Sequence, residues 1–280
     1  MTKLQEEILR VFNEFRRICD KHQLQYFAIG GTCIGAVRHS GFIPWDDDLD
    51  VGMPIRHYKR FIELAKSELS DGFEVMTPDN CKHYLSIFIK LHDGKTTFIE
   101  ELSQPYKDRY GGVYIDIFPI YGLPNGNKAR LKIEKKCQRL KQLNLRIRFP
   151  ISDPINKGLA RKLIWILCFP LRILHKFDHY TKKIDKMLSV YEFDNSDMVY
   201  FPWRTIPSPD TTYKDIFYLS DLIDTVELPF EDTVMKVPRG YDRYLRMDFG
   251  DYMQLPPEEM RVAGHSAHII DFDTPYNNYK

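Results

Sequence analysis

The stretch PWDDDLDV, residues 44–51, places four carboxylates within five positions. Side chains of a β-strand alternate between its two faces, so a strand over Asp48–Met53 would place Asp48 and Asp50 on one face, roughly 6 to 7 Å apart at Cα. Leu49 and Val51 would then point into a core. Because two carboxylates this close repel each other, the pattern favours a divalent cation shared between them.

A second stretch repeats this pattern downstream. Residues 113–118 read VYIDIF, with a valine and two isoleucines on one face of a predicted strand and Asp116 on the other. A single carboxylate in so apolar a strand needs a partner. If the two strands are neighbours, Asp48, Asp50 and Asp116 form a three-carboxylate site for one or two Mg²⁺ or Mn²⁺ ions, an arrangement suited to in-line transfer at phosphorus.

A pair of glycines lies upstream of the acids. The residues before Gly30 and Gly31 predict a short strand, and Thr32 is placed to cap a helix that runs to about His39. Backbone N–H groups at such a helix start bind phosphate. We expect Arg38 or His39 to add positive charge against the same phosphates.

Each of these features has a plainer explanation when it is taken alone. Acid clusters are most often solvated loops or helix caps, a glycine pair is typical of a turn, and Asp116 alone is compatible with a core ion pair with an arginine. An EF-hand loop starting at Asp46 is excluded, because its sixth position is Val51 rather than glycine and its twelfth is His57 rather than glutamate. The joint occurrence favours a phosphate and metal site.

The remaining hydrophobic pattern predicts an α+β fold with a mixed sheet flanked by helices. Helices are expected over Leu4–Cys19, Ile55–Leu69 and Tyr241–Met247. Further strands are expected near Phe73–Met76, Tyr84–Leu91, Thr96–Glu100 and Val113–Ile117, with a hairpin between Val226 and Val237.

Charge is segregated along the chain. The net charge is only +1, which argues against nucleic acid as a partner, yet residues 128–186 carry 17 basic against 4 acidic residues. We therefore divide the chain into a catalytic core (1–127), a basic helical insert (128–195) and a C-terminal region that completes the active site (196–280), all within one integrated unit. The helices of the insert are expected to break around Pro150 and Pro154.

The insert contains the apolar run Leu163–Leu171, flanked by Arg161, Lys162, Arg172 and Lys176. Two hypotheses fit this composition equally: an interfacial anchor on anionic lipid, or a buried helix with a solvated basic rim. Five cysteines without CxxC spacing, and the lack of a signal peptide, predict that the protein is cytoplasmic. Under the first hypothesis it would also make a peripheral contact with the inner face of the cell membrane.

Several of these motifs together resemble the LicD family of phosphorylcholine transferases, whose fold is similar to that of nucleotidyltransferases. The resemblance is carried by Ile29–Thr32, Gly35–His39, Gly41–Val51, Ile115–Pro119 and Gly250–Arg261, with His265 close behind. It implies that Gly30 and Gly31 form the helix start, Asp48 and Asp50 the acid pair, and Asp116 the third acid.

The resemblance also implies a reaction. Phosphocholine would pass from CDP-choline to a sugar hydroxyl on a lipid-linked or polymeric cell-surface glycan, such as a teichoic acid or lipopolysaccharide precursor, and CMP would leave. Mg²⁺ held by Asp48 and Asp50 would bridge the donor phosphates, and Asp116 would hold a second metal or accept the proton of the acceptor. Transfer of ribitol or glycerol phosphate, nucleotidyl transfer from a triphosphate and a non-catalytic scaffold remain as alternatives, the last disfavoured because all three acids are present.

Secondary candidates surround these residues. Asp46 and Asp47 either orient the metal ligands or bind the acceptor, unless they are solvated loop positions. Trp45 either stacks on a base or on choline, or is a buried anchor.

The C-terminal candidates are Arg261, His265 and His268. The two histidines, three apart, would share one helix face, where we prefer a donor or acceptor contact to a zinc site. Arg261 with Glu258 either closes over the site or forms an ordinary salt bridge.

Overall fold

A mixed β-sheet of seven strands organises the chain in the computed structural model, which describes residues 1–84, 86–148, 158–176, 178–202 and 215–280. The helices are α1 (Lys3–Lys21), α2 (Gly30–His39), α3 (Ile55–Glu68), α4 (Asn127–Arg148), α5 (Leu159–Leu167), α6 (Phe169–Leu174), α7 (His179–Leu188), α8 (Leu219–Leu222) and α9 (Tyr241–Phe249). The strands are β1 (Phe27–Ala28), β2 (Asp50–Pro54), β3 (Phe73–Met76), β4 (Ile89–Asp93), β5 (Thr97–Glu100), β6 (Tyr114–Gly122), β7 (Met198–Tyr200), β8 (Ile216–Tyr218), β9 (Thr225–Phe230), β10 (Thr233–Pro238) and β11 (Ala267–Asp271). The expected α+β class is confirmed.

The strand order of the main sheet is β1-β2-β6-β4-β3, with β7 beside the end of β6 and β8 beside β7. Only the β2–β6 pair is parallel; the other pairs in this sheet are antiparallel. Two smaller antiparallel pairs, β9–β10 and β5–β11, complete the described strands. Because β2 pairs with β6, the two acid-bearing stretches lie side by side although they are far apart in the sequence.

One face of the sheet is apolar and is covered by α1 and α3. Val51, Ile117 and Ile89 occupy matching positions on β2, β6 and β4 and are buried there. Helix α1 begins with a capping box in which Thr2 and Gln5 exchange hydrogen bonds, and its apolar stripe packs into the same core. Alternation then directs the intervening side chains of the three strands to the opposite face.

The strand predicted at Val113–Ile117 extends to Gly122 as β6, and two other predicted strands begin later than expected. The strand expected at Tyr84–Leu91 begins only at Ile89, because Tyr84 packs in a separate small cluster with Met76 and Cys81; residue 85 lies outside the described residues. The strand expected from Asp48 begins at Asp50, and residues 46–49, after the turn at 44–45, have no regular secondary structure, although the Leu49 carbonyl accepts from the Asp116 N–H at 3.0 Å.

The basic insert is helical where it is described, as α4 to α7. Its expected breaks at Pro150 and Pro154 fall outside the described residues. None of the described helices combines the length and the apolar character needed to span a membrane. All five cysteines are free thiols.

Candidate active site

Three charged side chains lie in register across the middle of the sheet. Asp50 on β2 is the direct partner of Asp116 on β6, which is in turn the partner of Lys90 on β4. Neighbouring strands are about 4.8 Å apart, so the row brings two carboxylates and one ammonium group onto one face. The structure thus places Asp50 beside Asp116, as the hypothesis of neighbouring strands required.

The other acids belong to the loop before β2. Asp46, Asp47 and Asp48 each offer a carboxylate oxygen, and these oxygens lie within 4.8 Å of one another. The loop is fixed by its backbone: the Asp46 N–H donates to the Ile43 carbonyl (2.9 Å), and the Gln5 side-chain amide donates to the Asp46 carbonyl (3.0 Å). Helix α1 therefore holds the acid loop in position.

Helix α2 begins directly against this loop. A Cβ added to Gly31 would come within 2.9 Å of Asp46 Oδ2, so a larger residue would force the carboxylate to move. Gly30 has a φ of +54°, a value that favours glycine, and its N–H donates to the Tyr244 hydroxyl at 2.9 Å. The glycine pair thus allows the helix start and the acids to approach closely.

Thr32 does not cap α2, contrary to the prediction. The helix starts two residues earlier, at Gly30, with Ile29 at the capping position. The Thr32 hydroxyl instead accepts a hydrogen bond from the Asp50 N–H at 2.8 Å. Thr32 therefore fixes the first residue of β2 and, with it, the position of the Asp50 carboxylate.

Burial and mutual repulsion raise the pKa values of three of these carboxylates. Burial, followed by the neighbouring Asp48 charge, raises the pKa of Asp46 to about 8. Burial and then the charges of Asp48 and Asp116 raise the pKa of Asp50 well above its ordinary value. Burial raises the pKa of Asp116 to about 6, against the opposing attraction of Lys90. A divalent cation would offset this repulsion.

The donor set fits a hard cation. Asp116 Oδ1 is buried and accepts no regular hydrogen bond from the described residues, although Lys90 Nζ lies 3.4 Å away. Carboxylate oxygens are the ligands that Mg²⁺ and Mn²⁺ prefer. Among the described residues, the acids that lie within common ligand distance are Asp46, Asp47 and Asp48. Of the three predicted ligands only Asp48 belongs to that group, while Asp50 and Asp116 are paired across β2 and β6.

The C-terminal segment reaches the site through β11, which pairs with β5. The N–H groups of Gly264 and His265 donate to the two carboxylate oxygens of Asp47, at 3.0 and 3.1 Å. His265 Nδ1 lies 3.2 Å from Asp47 Oδ1 and 3.7 Å from Asp48 Oδ2. The hydrogen bond with Asp47 is the largest cause that raises the pKa of His265, to about 9, so the imidazolium adds positive charge to the acid loop at neutral pH.

A second charged group, centred on Lys90, was missed by the sequence analysis. Lys90 Nζ donates to Glu100 Oε1 at 2.9 Å and lies 3.2 Å from the centre of the Tyr114 ring. The Tyr114 hydroxyl donates to the same glutamate oxygen at 2.8 Å. A lone lysine in the apolar run IFIKL, residues 87–91, is the signal that could have found it, because alternation places Lys90 opposite the core.

Arg38 and His39 lie at the opposite end of α2 from the glycines. A helix of ten residues spans about 15 Å. Arg38 donates to the carbonyl oxygens of Tyr252 and Gln254, and its Nε lies 3.0 Å from the His39 ring. The structure therefore does not bring these two residues to the start of the helix, where a phosphate was expected.

Trp45 is half-buried and packs against the core. The Arg261 guanidinium lies over its ring, 5.6 Å from the ring centre, and the His39 ring meets it edge-on. Arg261 also donates to the Pro256 carbonyl at 2.9 Å. No ion pair joins Arg261 to Glu258, both of which the structure describes, so Arg261 closes over the indole instead.

The expectation that His265 and His268 share a helix face is wrong. Residues 267–271 form β11, because they pair with β5, and His265 lies in the loop before it. His268 is exposed, and its Nε2 lies 3.2 Å from the Gln104 side-chain amide. Only His265 is brought to the acids.

Comparison with known proteins gives two kinds of match. Residues 23–138 match the family model described as LicD/FKTN/FKRP, nucleotidyltransferase domain. The chain is similar to the lipopolysaccharide cholinephosphotransferase LicD of Haemophilus influenzae, at 29% identity over 276 residues, which cover 94% of this chain and 95% of that protein. It is also similar to an uncharacterised protein of Rickettsia typhi, at 28% identity over 110 residues, or 37% of this chain and 34% of that protein.

Proposed function

We propose that the chain, which matches the LicD family model over residues 23–138 and is similar to the Haemophilus cholinephosphotransferase over most of its length, transfers phosphocholine from CDP-choline to a sugar hydroxyl of a cell-surface glycan, with Mg²⁺ or Mn²⁺ bound at the acids. Its similarity to a cholinephosphotransferase supports the transferase class; the donor, the acceptor and the metal are what we propose. The Haemophilus relative is named for lipopolysaccharide, so a lipopolysaccharide precursor is the first acceptor to test and a teichoic acid precursor the second.

One observation carries the proposal: the Asp50–Asp116 pair lies in register on parallel strands and adjoins the Asp46–Asp48 loop. Carboxylates arranged in this way suit transfer at phosphorus with a bound cation, because charge develops on the leaving group. The helix start at Gly31 lies against Asp46, so a phosphate there would meet both the helix N-terminus and the carboxylates.

In the proposed reaction the acceptor hydroxyl oxygen bonds to the phosphorus of phosphocholine. The bond between that phosphorus and the bridging oxygen of CMP breaks, and the hydroxyl proton passes to a carboxylate. Asp48 and Asp50 would hold a divalent cation, which would supply charge neutralisation for the departing CMP. Asp116 accepts the proton or completes a second ligand set.

The remaining side chains position these groups. Lys90 and His265 place positive charge beside Asp116 and Asp48, and the backbone of residues 264–265 holds Asp47. Thr32 fixes the start of β2 through the Asp50 N–H. The acids are therefore held before any substrate binds, which lowers the reorganisation required for catalysis.

Ligand-dependent stabilisation tests the donor. The melting temperature is measured with CDP-choline, CDP-ribitol, CDP-glycerol, CTP and ATP, each with and without Mg²⁺, because a ligand that binds only the native state raises its stability. We expect a Mg²⁺-dependent rise with CDP-choline. A rise with CDP-ribitol or CDP-glycerol alone would redirect the proposal to another alcohol phosphate, and a rise with triphosphates alone, with pyrophosphate released, would replace it by nucleotidyl transfer.

Turnover tests the site. CMP release from CDP-choline in the presence of acceptor glycan should fall at least a thousandfold in Asp48→Ala, while the fold is retained. Asp71→Ala is the matched control, since Asp71 is an exposed carboxylate paired with Lys95 at the surface. Near-normal turnover in Asp48→Ala would overturn the assignment of the acids.

A further inference from the structure

We propose that helices α5 and α6 form a membrane-binding surface that lies in the plane of an anionic lipid bilayer. The α5–α6 surface consists of large apolar side chains that the fold leaves in solvent. Its members are Leu159, Leu163, Ile166, Leu167, Phe169, Ile173 and Leu174, which are between 52% and 77% exposed. Monomeric proteins rarely expose so many contiguous apolar groups without a partner for them.

The spacing of these residues makes one continuous surface. Along α5 the most exposed apolar residues lie three or four positions apart, at Leu159, Leu163 and Ile166 or Leu167, which places them on one side of the helix; Ile164, at 38% exposure, lies beside this row. Helix α6 follows after a single residue and continues the surface with Ile173 and Leu174. The exposure contradicts the alternative of a buried helix with a solvated rim.

The charges around the α5–α6 surface indicate which kind of partner it binds. Arg161, Lys162, Arg172 and Lys176 flank the apolar groups, and residues 158–176 contain no Asp or Glu. Basic residues beside an apolar face favour the headgroups of anionic lipids, while the apolar groups enter the boundary of the acyl chains. A protein partner with an apolar groove would not require this uniform sign of charge.

An aromatic residue lies between the apolar and basic parts. The Arg172 guanidinium carbon lies 3.7 Å from the centre of the Trp165 ring, and Arg172 donates to the Trp165 carbonyl at 2.7 Å. Tryptophan and arginine side chains of this kind are suited to the level of the headgroups, because each has an apolar body and a polar end.

The α5–α6 surface is attached to the rest of the fold and is too short to cross a bilayer. Arg148, at the end of α4, donates to the His175 carbonyl at 2.9 Å, which joins the end of α6 to α4. Helices α5 and α6 have nine and six residues, far fewer than the roughly 20 that a spanning helix needs. The pair can therefore lie on a membrane but not span it.

Cosedimentation of the full chain with vesicles tests the inference. We expect binding to vesicles of phosphatidylcholine with 30% phosphatidylglycerol, and weak binding to phosphatidylcholine alone. Leu167→Ser/Leu174→Ser should weaken binding to the anionic vesicles about 100-fold, because each leucine loses most of the free energy of burying its side chain. Lys162→Gln/Lys176→Gln should weaken it about 25-fold at low salt, at about fivefold for each charge.

Matched controls exclude general effects of surface substitution. Leu102 and Val190 are 64% and 69% exposed but lie outside α5 and α6, so Leu102→Ser/Val190→Ser should bind vesicles as the wild type does.

Lipids brominated in the acyl chains should quench tryptophan fluorescence, and Trp165→Phe should remove most of that quenching.

Three results would overturn the inference. One is the absence of binding to anionic vesicles; another is equal binding to neutral vesicles, which would remove the role of charge. The third is a dimer in solution that Leu167→Ser/Leu174→Ser converts to a monomer, because a second copy of the chain would then cover the α5–α6 surface. None of these results depends on the donor or on the acids, so the proposed function is tested separately.

Discussion

Replacing Lys90 by methionine tests the charged row at the centre of the candidate site. Lys90 Nζ lies 2.9 Å from Glu100 and 3.4 Å from Asp116, and the three side chains are 15%, 18% and 7% exposed. The attraction of Lys90 is the largest cause that lowers the pKa of Glu100 from 4.5 to about 2. A tenfold change in proton affinity corresponds to about 1.4 kcal/mol, so ionised Glu100 stabilises the fold by about 3 kcal/mol at neutral pH.

We therefore expect Lys90→Met to lower the free energy of unfolding by up to about 3 kcal/mol at pH 7, since Tyr114 and His265 also lower the pKa of Glu100 and remain in the variant. A carboxyl whose pKa is lowered in the folded state contributes stability above its ordinary value of 4.5 and loses it as the pH falls towards 2. The difference between the wild type and the variant should accordingly shrink below about pH 4.5. Urea denaturation at pH 7, 5 and 4 measures it.

Lys95→Met is the control for this experiment. Lys95 also lies close to a carboxylate, 2.7 Å from Asp71, but the two side chains are 61% and 95% exposed. We expect its loss to cost no more than about 1 kcal/mol. The reasoning is refuted if Lys90→Met is no more destabilised than Lys95→Met at pH 7, or if its deficit is the same at pH 4.

Other predictions concern the acids and their supports. Without added metal, the free energy of unfolding should fall as the pH rises from about 4 to about 8, because the folded state raises the pKa of Asp46 from 3.8 to about 8. The expected fall between pH 6 and pH 8 is up to about 2 kcal/mol. Mg²⁺ should reduce it, and thermal unfolding in EDTA and in Mg²⁺ measures both effects. Thr32→Val should cost about 2 kcal/mol in urea denaturation, because the Asp50 N–H loses its acceptor; an unchanged midpoint would contradict that role. Gly31→Ala should lower turnover at least tenfold while stability changes by about 1 kcal/mol, since the added Cβ meets Asp46 Oδ2 at 2.9 Å; full turnover would show that the Asp46 position is not required.

The parts of the fold that rest on local periodicity could be predicted from the sequence. Helices α1 and α3 were found because their apolar residues recur at three- and four-residue intervals, and β3 because its short apolar run is bounded by turn residues. Alternation in residues 48–51 and 113–118 was enough to bring Asp50 and Asp116 onto one face. These patterns act within a few residues, where the backbone period decides which side chains share a surface.

Contacts between distant parts of the chain could not be predicted in the same way. No periodicity connects Asp47 with residues 264–265, because their meeting depends on the pairing of β11 with β5. Thr32 was assigned to a cap because its residue type favours that position, whereas the tertiary structure uses its hydroxyl on β2. Lys90 was overlooked because a lysine in a strand is ordinarily a solvated edge residue rather than a buried partner of carboxylates.

The hydrogen bonds from residues 264–265 to Asp47 have a consequence for the timing of synthesis. Residues 47 and 264 are 217 positions apart, so a ribosome adding about 5 to 20 residues per second makes the second group roughly 10 to 40 seconds after the first. During that interval the nascent chain carries the acid loop without the backbone donors and the imidazolium that hold it. We therefore expect the acid loop to lack these donors, and the proposed activity to be absent, until residues 264–265 have been translated.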